Sequence, residues 1–213
     1  MAKLICIIGV DGAGKTLLSK RLVSYFRRIN VNSLYVYGRI KPYITYLLAI
    51  LSRALLSASP ESMEYREYVK VKKRAIDRFS SLTRIYALIM SFEYFLQVLL
   101  KVWLPLKLGY TVVCDRYLYD TGIYDLPSNN PGIIWRWITF MTKILPKPDY
   151  IFIIDIPEAI SMSRKSDIPS IDYIVEKRRL FLYLSKIFNI PILDGTRENI
   201  FLVKEIANAV GFD

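Results

Sequence analysis

Histidine is absent from all 213 residues and glutamine occurs once. Without imidazole, His-based acid–base catalysis and His metal sites are excluded. Cysteine is scarce as well. Cys6 and Cys114 both sit in apolar, strand-like runs and read as buried, reduced core residues of a cytoplasmic protein. Acidic residues are outnumbered, 19 Asp and Glu against 30 Lys and Arg, for a net charge of +11. That excess favours acidic partners (nucleotides, nucleic acid or an anionic membrane face) without choosing among them.

Clean hydrophobic runs of membrane-spanning length are also missing, although 53% of the residues are hydrophobic and mean hydropathy is +0.27. The stretch 43–59 is interrupted by Arg53, and the stretch 85–104 carries Glu93, Gln97 and Lys101. A spanning helix needs about 20 apolar residues with few charges. Both stretches are therefore expected to be helices buried in the core or at a subunit contact, with membrane-surface attachment as the alternative. No transmembrane segment is expected, and the helix near 85–104 is a candidate homodimer interface. The opening MAKLICIIGV is too short for a secretory signal. Scarce glutamine with abundant Ile, Tyr and Lys/Arg leans towards a thermophilic source.

What is present is an alternation of strands and helices. Apolar, β-branched runs at 3–9, 33–37, 110–115, 150–155 and 190–195 read as strands. Helical patterns cover 14–29, 41–58, about 62–104 with a break near FSSLT, the surroundings of Trp135 and Trp137, a segment from Pro157, about 170–188, and a last helix ending near Gly211. The expectation is an α/β protein with a five-stranded parallel sheet flanked by helices, in one domain over 1–213. The basic run at 70–78 reads as a solvated helix face or an anion-binding patch.

Gly9, Gly14, Lys15 and Thr16 fit G-x-x-x-x-G-K-[ST] between a buried strand and an amphipathic helix. Glycines let the loop curl so that backbone amides face a β-phosphate. Lys15 reaches the β- and γ-phosphates, the Thr16 hydroxyl binds Mg²⁺, and the helix offers its positive end. Gly9, Asp11, Gly12, Ala13, Gly14, Lys15, Thr16 and Leu17 are therefore the expected ATP cradle of a three-layer P-loop NTPase fold. Asp115 and Arg116 end a buried strand, where ligands of open α/β sheets collect. Asp115 can hold Mg²⁺, with Asp155 its rival, and Arg116 can bridge donor and acceptor phosphates. Asp11, repelled by phosphates, is expected to face an acceptor hydroxyl or to brace the loop.

GVDGAGKT, VVCDRYLYD, LPKPDYIFIIDIPEAISMSRK, IDYIVEKRRLFLYLS and LDGT together resemble the thymidylate kinase family of P-loop nucleotide kinases, as a divergent branch. The resemblance implies ATP- and Mg²⁺-dependent phosphoryl transfer to a nucleoside monophosphate, dTMP being the best guess. It places Asp11 at the sugar 3′-hydroxyl, Arg116 and Tyr117 beside the acceptor, a lid over about 162–172, and Gly195 and Thr196 near adenine. Transferring charge calls for an arginine. Gly12 cannot supply it, so Arg164 or Lys165 is expected to do so on lid closure. Arg178 and Arg179 are expected to hold ATP or to make surface pairs. On the acceptor side, Ile8 stands where the family commonly has Glu, and YGRIKP makes Arg39 a partial match. Ser91 and Phe95 occupy the base-recognition positions, with Phe92, Tyr94 and Arg84 as substitutes. A kinase for a nucleoside or another small-molecule acceptor, and a non-catalytic nucleotide- or nucleic-acid-binding protein, are the alternatives.

Overall fold

The computed structural model describes residues 2–46, 80–126, 128 and 130–212. Its strands are β1 (Leu4–Gly9), β2 (Ser33–Tyr37), β3 (Thr111–Asp115), β4 (Tyr150–Asp155) and β5 (Ile192–Asp194). They form one parallel sheet in the order β2-β3-β1-β4-β5. β1, at the centre, is buried at every position, as a run without polar alternation must be when both faces are covered. The register brings the carboxyl ends of the strands to one edge: Ile7 lies opposite Asp115, Tyr37 opposite Asp115, Gly9 opposite Ile154, and Asp155 opposite Asp194. Cys6 and Cys114 face each other across β1 and β3 as free, buried thiols. Burial, and then the neighbouring thiol, pushes the Cys6 pKa up, so it stays protonated.

The helices fully within the described residues are α1 (Lys15–Arg28), α2 (Ser80–Val98), α3 (Leu104–Lys107), α4 (Leu118–Tyr124), α5 (Pro131–Ile144), α6 (Glu158–Arg164), α7 (Ile171–Phe188) and α8 (Asn199–Val210). α1 buries Leu18, Leu22, Val23 and Phe26, a stripe at helical spacing. Side chains cap two helices: Asn130 accepts from Gly132 N at the start of α5, and Ser170 from Tyr173 N at the start of α7.

Two features differ from the sequence reading. The helix expected to stop near 104 continues through a π-helical turn, Leu99–Trp103, into α3. α4 was not expected at all. Leu118 to Ile123 are all buried, so the helix has no polar face and leaves no amphipathic period to read. Residues 44–46 begin the helix expected over 41–58. Its remainder and the basic run at 70–78 lie outside the described residues.

Among the described residues one helix, Ser81–Lys107, is long and apolar enough to cross a bilayer. Met90, Tyr94, Val98 and Val102 bury one face of it in the core, while Leu82, Ile85, Leu88 and Leu100 are exposed on the other. Glu93 is buried and clasps the chain after β2. It accepts from the amides of Tyr43 (2.5 Å), Ile44 (3.1 Å) and Thr45 (3.1 Å) and from the Thr45 hydroxyl (2.8 Å). Burial pushes its pKa up, but these donors outweigh burial and hold it below the usual carboxylate range.

Candidate active site

Between β1 and α1 the chain curls through Gly12 (φ 78°) and Gly14 (φ 81°), both in the left-handed region that glycine tolerates. Gly12 is also sterically confined, since a Cβ there would lie 2.8 Å from the Ser161 carbonyl oxygen on α6. Ser161 ties the two elements together by donating to the Asp11 carbonyl at 2.7 Å. Lys15 is buried and donates to the Val10 carbonyl at 2.5 Å. Burial lowers its pKa to about 8, and the Arg116 charge acts in the same sense against the opposing pull of Asp120, Asp11 and Asp115.

The loop borders a cleft of about 420 Å³ lined by Asp11, Gly12, Gly14, Lys15, Thr16, Leu17, Arg116, Arg164 and Lys165. Each of these residues had been singled out from the sequence. Arg164 donates to the Gly195 carbonyl at 3.4 Å, joining the end of α6 to the loop after β5. Next to Gly195, Thr196 donates through its amide (2.9 Å) and hydroxyl (2.7 Å) to Asp194.

Asp115 is fully buried at the tip of β3. One of its oxygens accepts from the Thr16 hydroxyl at 2.5 Å and from Tyr35 at 2.9 Å; the other, Oδ1, has no hydrogen-bond partner among the described residues. A buried carboxylate oxygen left open beside a P-loop threonine is suited to a hard cation. Asp155 differs. Arg178 grips both its oxygens at 2.7 Å and also holds Glu158 at 2.9 Å. Among the described residues no three or more His, Cys, Asp or Glu converge into a metal cluster, so Mg²⁺ here would complete its shell with phosphate and water oxygens.

Arg116 has a φ of 69°, an uncommon conformation for a residue with a side chain. Its guanidinium is shared by two carboxylates, Asp11 at 2.6 Å and Asp120 at 3.2 Å. Lys165 lies 3.7 Å from the same Asp11 oxygen. Burial pushes the Asp11 carboxyl up, but Arg116, Lys15 and Lys165 outweigh it and hold the pKa below its ordinary value. Asp11 thus touches Arg116 and Lys165 together.

Several expected acceptor residues are placed elsewhere. Tyr117 is fully buried and donates to the Pro146 carbonyl at 2.9 Å, so it faces the core and not the cleft. Phe92 is 62% exposed, on the side of α2 away from Met90 and Tyr94, and does not line the cleft. Tyr94 is fully buried with its hydroxyl donating to the Gly38 carbonyl. Ser91 accepts from the Trp137 ring nitrogen at 2.8 Å. Arg39 is held by both oxygens of Asp125 (2.7 and 2.6 Å), with its guanidinium 4.9 Å from the Tyr124 ring centre. The sequence reading missed Asp120, Tyr124, Asp125, Ser161 and Tyr35. Arg116 and Asp120, four apart at a strand end, were a signal that could have found the first of these.

A family model described as thymidylate kinase matches residues 55–189. The chain belongs to the thymidylate kinase family. Similar curated proteins include a "Probable thymidylate kinase" of Staphylothermus marinus, 26% identical over 198 residues, covering 89% of this chain and 85% of that protein. A "Thymidylate kinase" of Wolbachia sp. from Brugia malayi is 29% identical over 163 residues, covering 75% and 67%. A "Probable thymidylate kinase" of Sulfurisphaera tokodaii is 26% identical over 201 residues, covering 92% and 88%. The match to the thymidylate kinase model includes Arg116, Asp120, Asp155, Arg164 and Lys165, while the P-loop lies before it. As a thymidylate kinase family member, the chain is a nucleotide kinase acting by ATP-dependent phosphoryl transfer.

Proposed function

We propose that the acceptor is dTMP and that the cleft walled by the P-loop, Arg116 and the 162–172 lid is where ATP and dTMP meet, within a single kinase domain. The convergence of Lys15, Arg116, Arg164 and Lys165 on one cavity carries this reading. Phosphoryl transfer asks little covalent chemistry of the protein; positioning and charge neutralisation supply the rate. The loop amides and Lys15 hold the β- and γ-phosphates. Thr16 and the open oxygen of Asp115 hold Mg²⁺, which when bound neutralises charge on those phosphates. Gly195 and Thr196 lie at the adenine end.

Arg116 takes the acceptor phosphate, and Asp11, released from Arg116 and Lys165, takes the sugar hydroxyl. Arg164 supplies the lid charge to the transferring group. The reason is steric as well as compositional, because Ser161 leaves no room for a side chain at Gly12. The acceptor oxygen is already anionic, so no strong general base is needed, consistent with the absence of histidine. Arg39 contributes to the acceptor side through its pair with Asp125.

The exposed apolar face of α2 is assigned to contact with a second copy of the chain in the cytoplasm. Light scattering showing only a monomer removes that assignment. Transfer from γ-labelled ATP across nucleoside monophosphates and nucleosides tests the acceptor: dTMP is expected to be labelled most efficiently. Inert monophosphates alongside a labelled nucleoside would overturn it.

A further inference from the structure

The reaction proposed above leaves Asp120 without a role. This residue stands in the first turn of α4 and is fully buried. Its Oδ1 accepts from Arg116 at 3.2 Å, and its Oδ2 has no hydrogen-bond partner among the described residues. Burial pushes its pKa up to about 6 against the opposing charges of Arg116, Lys15 and Arg39, with Asp115 adding repulsion. A carboxylate in that state is a poor source of stability, because desolvation and an open oxygen both count against it.

The two partners of Arg116 differ in one respect. Asp11 lies in the cleft wall, where an incoming phosphate competes with it for the guanidinium. Asp120 is not part of that wall and is sealed from solvent. We infer that Asp120 is a positioning residue that keeps the Arg116 guanidinium fixed while Asp11 is exchanged for the acceptor phosphate. This rests on the proposed acceptor chemistry. Arg116 has reason to need such a hold. Its side chain leaves a backbone in the left-handed region, and Lys15 nearby repels it. One anion between Lys15, Arg116 and Arg39 offsets that repulsion and holds the guanidinium at a hydrogen-bonding distance.

The test is a double-mutant cycle on the full chain, read by dTMP binding in calorimetry and by steady-state kinetics. Asp120→Asn keeps the shape and removes the charge. It is expected to weaken dTMP binding and lower kcat/KM for dTMP by about ten- to a hundredfold, the size of one lost charge-assisted hydrogen bond. The KM for ATP should stay within about twofold. In an Arg116→Ala background the same change should add less than about twofold, because its route of action is gone. Asp120→Ser is read in the same way if Asp120→Asn lacks a cooperative thermal transition. Wild-type dTMP binding in either variant, or a full additive loss in the Arg116→Ala background, overturns the inference. A wild-type chain inert towards dTMP overturns the proposed function instead, and that result appears before any variant is compared.

Discussion

The two sides of the cleft, proposed above for donor and acceptor, are built in different ways. The donor half is one run of backbone, residues 9–16, set between the buried β1 and the start of α1, with the tip of β3 alongside. The acceptor half is assembled from side chains on separate elements. Arg116 follows β3, Asp11 lies in the loop after β1 and Lys165 follows α6, while Asp120 on α4 stands behind Arg116, outside the wall. A cradle made of backbone amides constrains which residues the chain can use and so leaves a spaced signature. A pocket made of side chains constrains only their sum, and it can be rebuilt with different residues.

The widest separation between the halves is expected from Lys15→Ala, which should lower kcat by about a hundred- to a thousandfold or more, the range for loss of a group facing developing charge. dTMP binding measured without ATP should be nearly unchanged; a comparable loss there would mean that the halves are not separable. Arg164→Ala comes next, with a loss in kcat of about a hundredfold or more and little change in the KM for ATP. Equal losses in both would place Arg164 in ground-state binding rather than lid closure.

Gly12→Ala tests the joint between the loop and α6. Its Cβ would meet the Ser161 carbonyl in a backbone region that glycine favours. We expect a stability loss of about 1–3 kcal/mol, read as a lower melting temperature, with ATP binding weakened alongside it. An unchanged transition would mean that α6 can move away freely.

The smallest effect concerns pH. Burial lowers the Lys15 pKa in the folded chain from 10.5 to about 8. Its charge is present below that pH and lost above it, so kcat/KM for ATP should fall as pH rises through 8. Between 8 and 10.5 the unfolded chain holds the proton that the folded chain has lost, so this group makes unfolding free energy rise with pH. A flat ATP profile to pH 9 would contradict the burial of Lys15.

The sheet was legible because the strands are short apolar runs, β-branched in β1, β3 and β4, ending at a turn or a charged residue. The five expected strands all occur, with β1 and β3 each beginning one residue later and β5 shortened to Ile192–Asp194. The cleft was legible for the same reason as the cradle. Arg164 and Lys165 were placed there through the lid resemblance, and both line the cavity. Tyr117 and Phe92 were misplaced because adjacency along the chain does not fix which way a side chain turns. Tyr117 stands just before α4, a helix buried all round that left no period to read, and Phe92 falls on the outer face of α2. Asp120, Asp125 and Tyr124 act through pairs whose partners are distant in sequence or hidden by that same unread helix.

The π-helical turn at Leu99–Trp103 acts as a phase adjuster. Met90, Tyr94, Val98 and Val102 recur every fourth residue, and in a regular helix each such step overshoots a full turn by about 40°. A wider turn takes back some of that drift and keeps Val102 on the side of Met90. Removing one residue from the turn would swing Glu93, and Gln97 with its paired hydrogen bonds to the Lys41 amide (3.0 Å) and carbonyl (2.7 Å), around the helix axis relative to β3. The angle at which the segment after β2 leaves the sheet is therefore tied to a helical miscount beside it, since Lys101 and Val102 of the turn share a small cavity with Gly38 and Arg39.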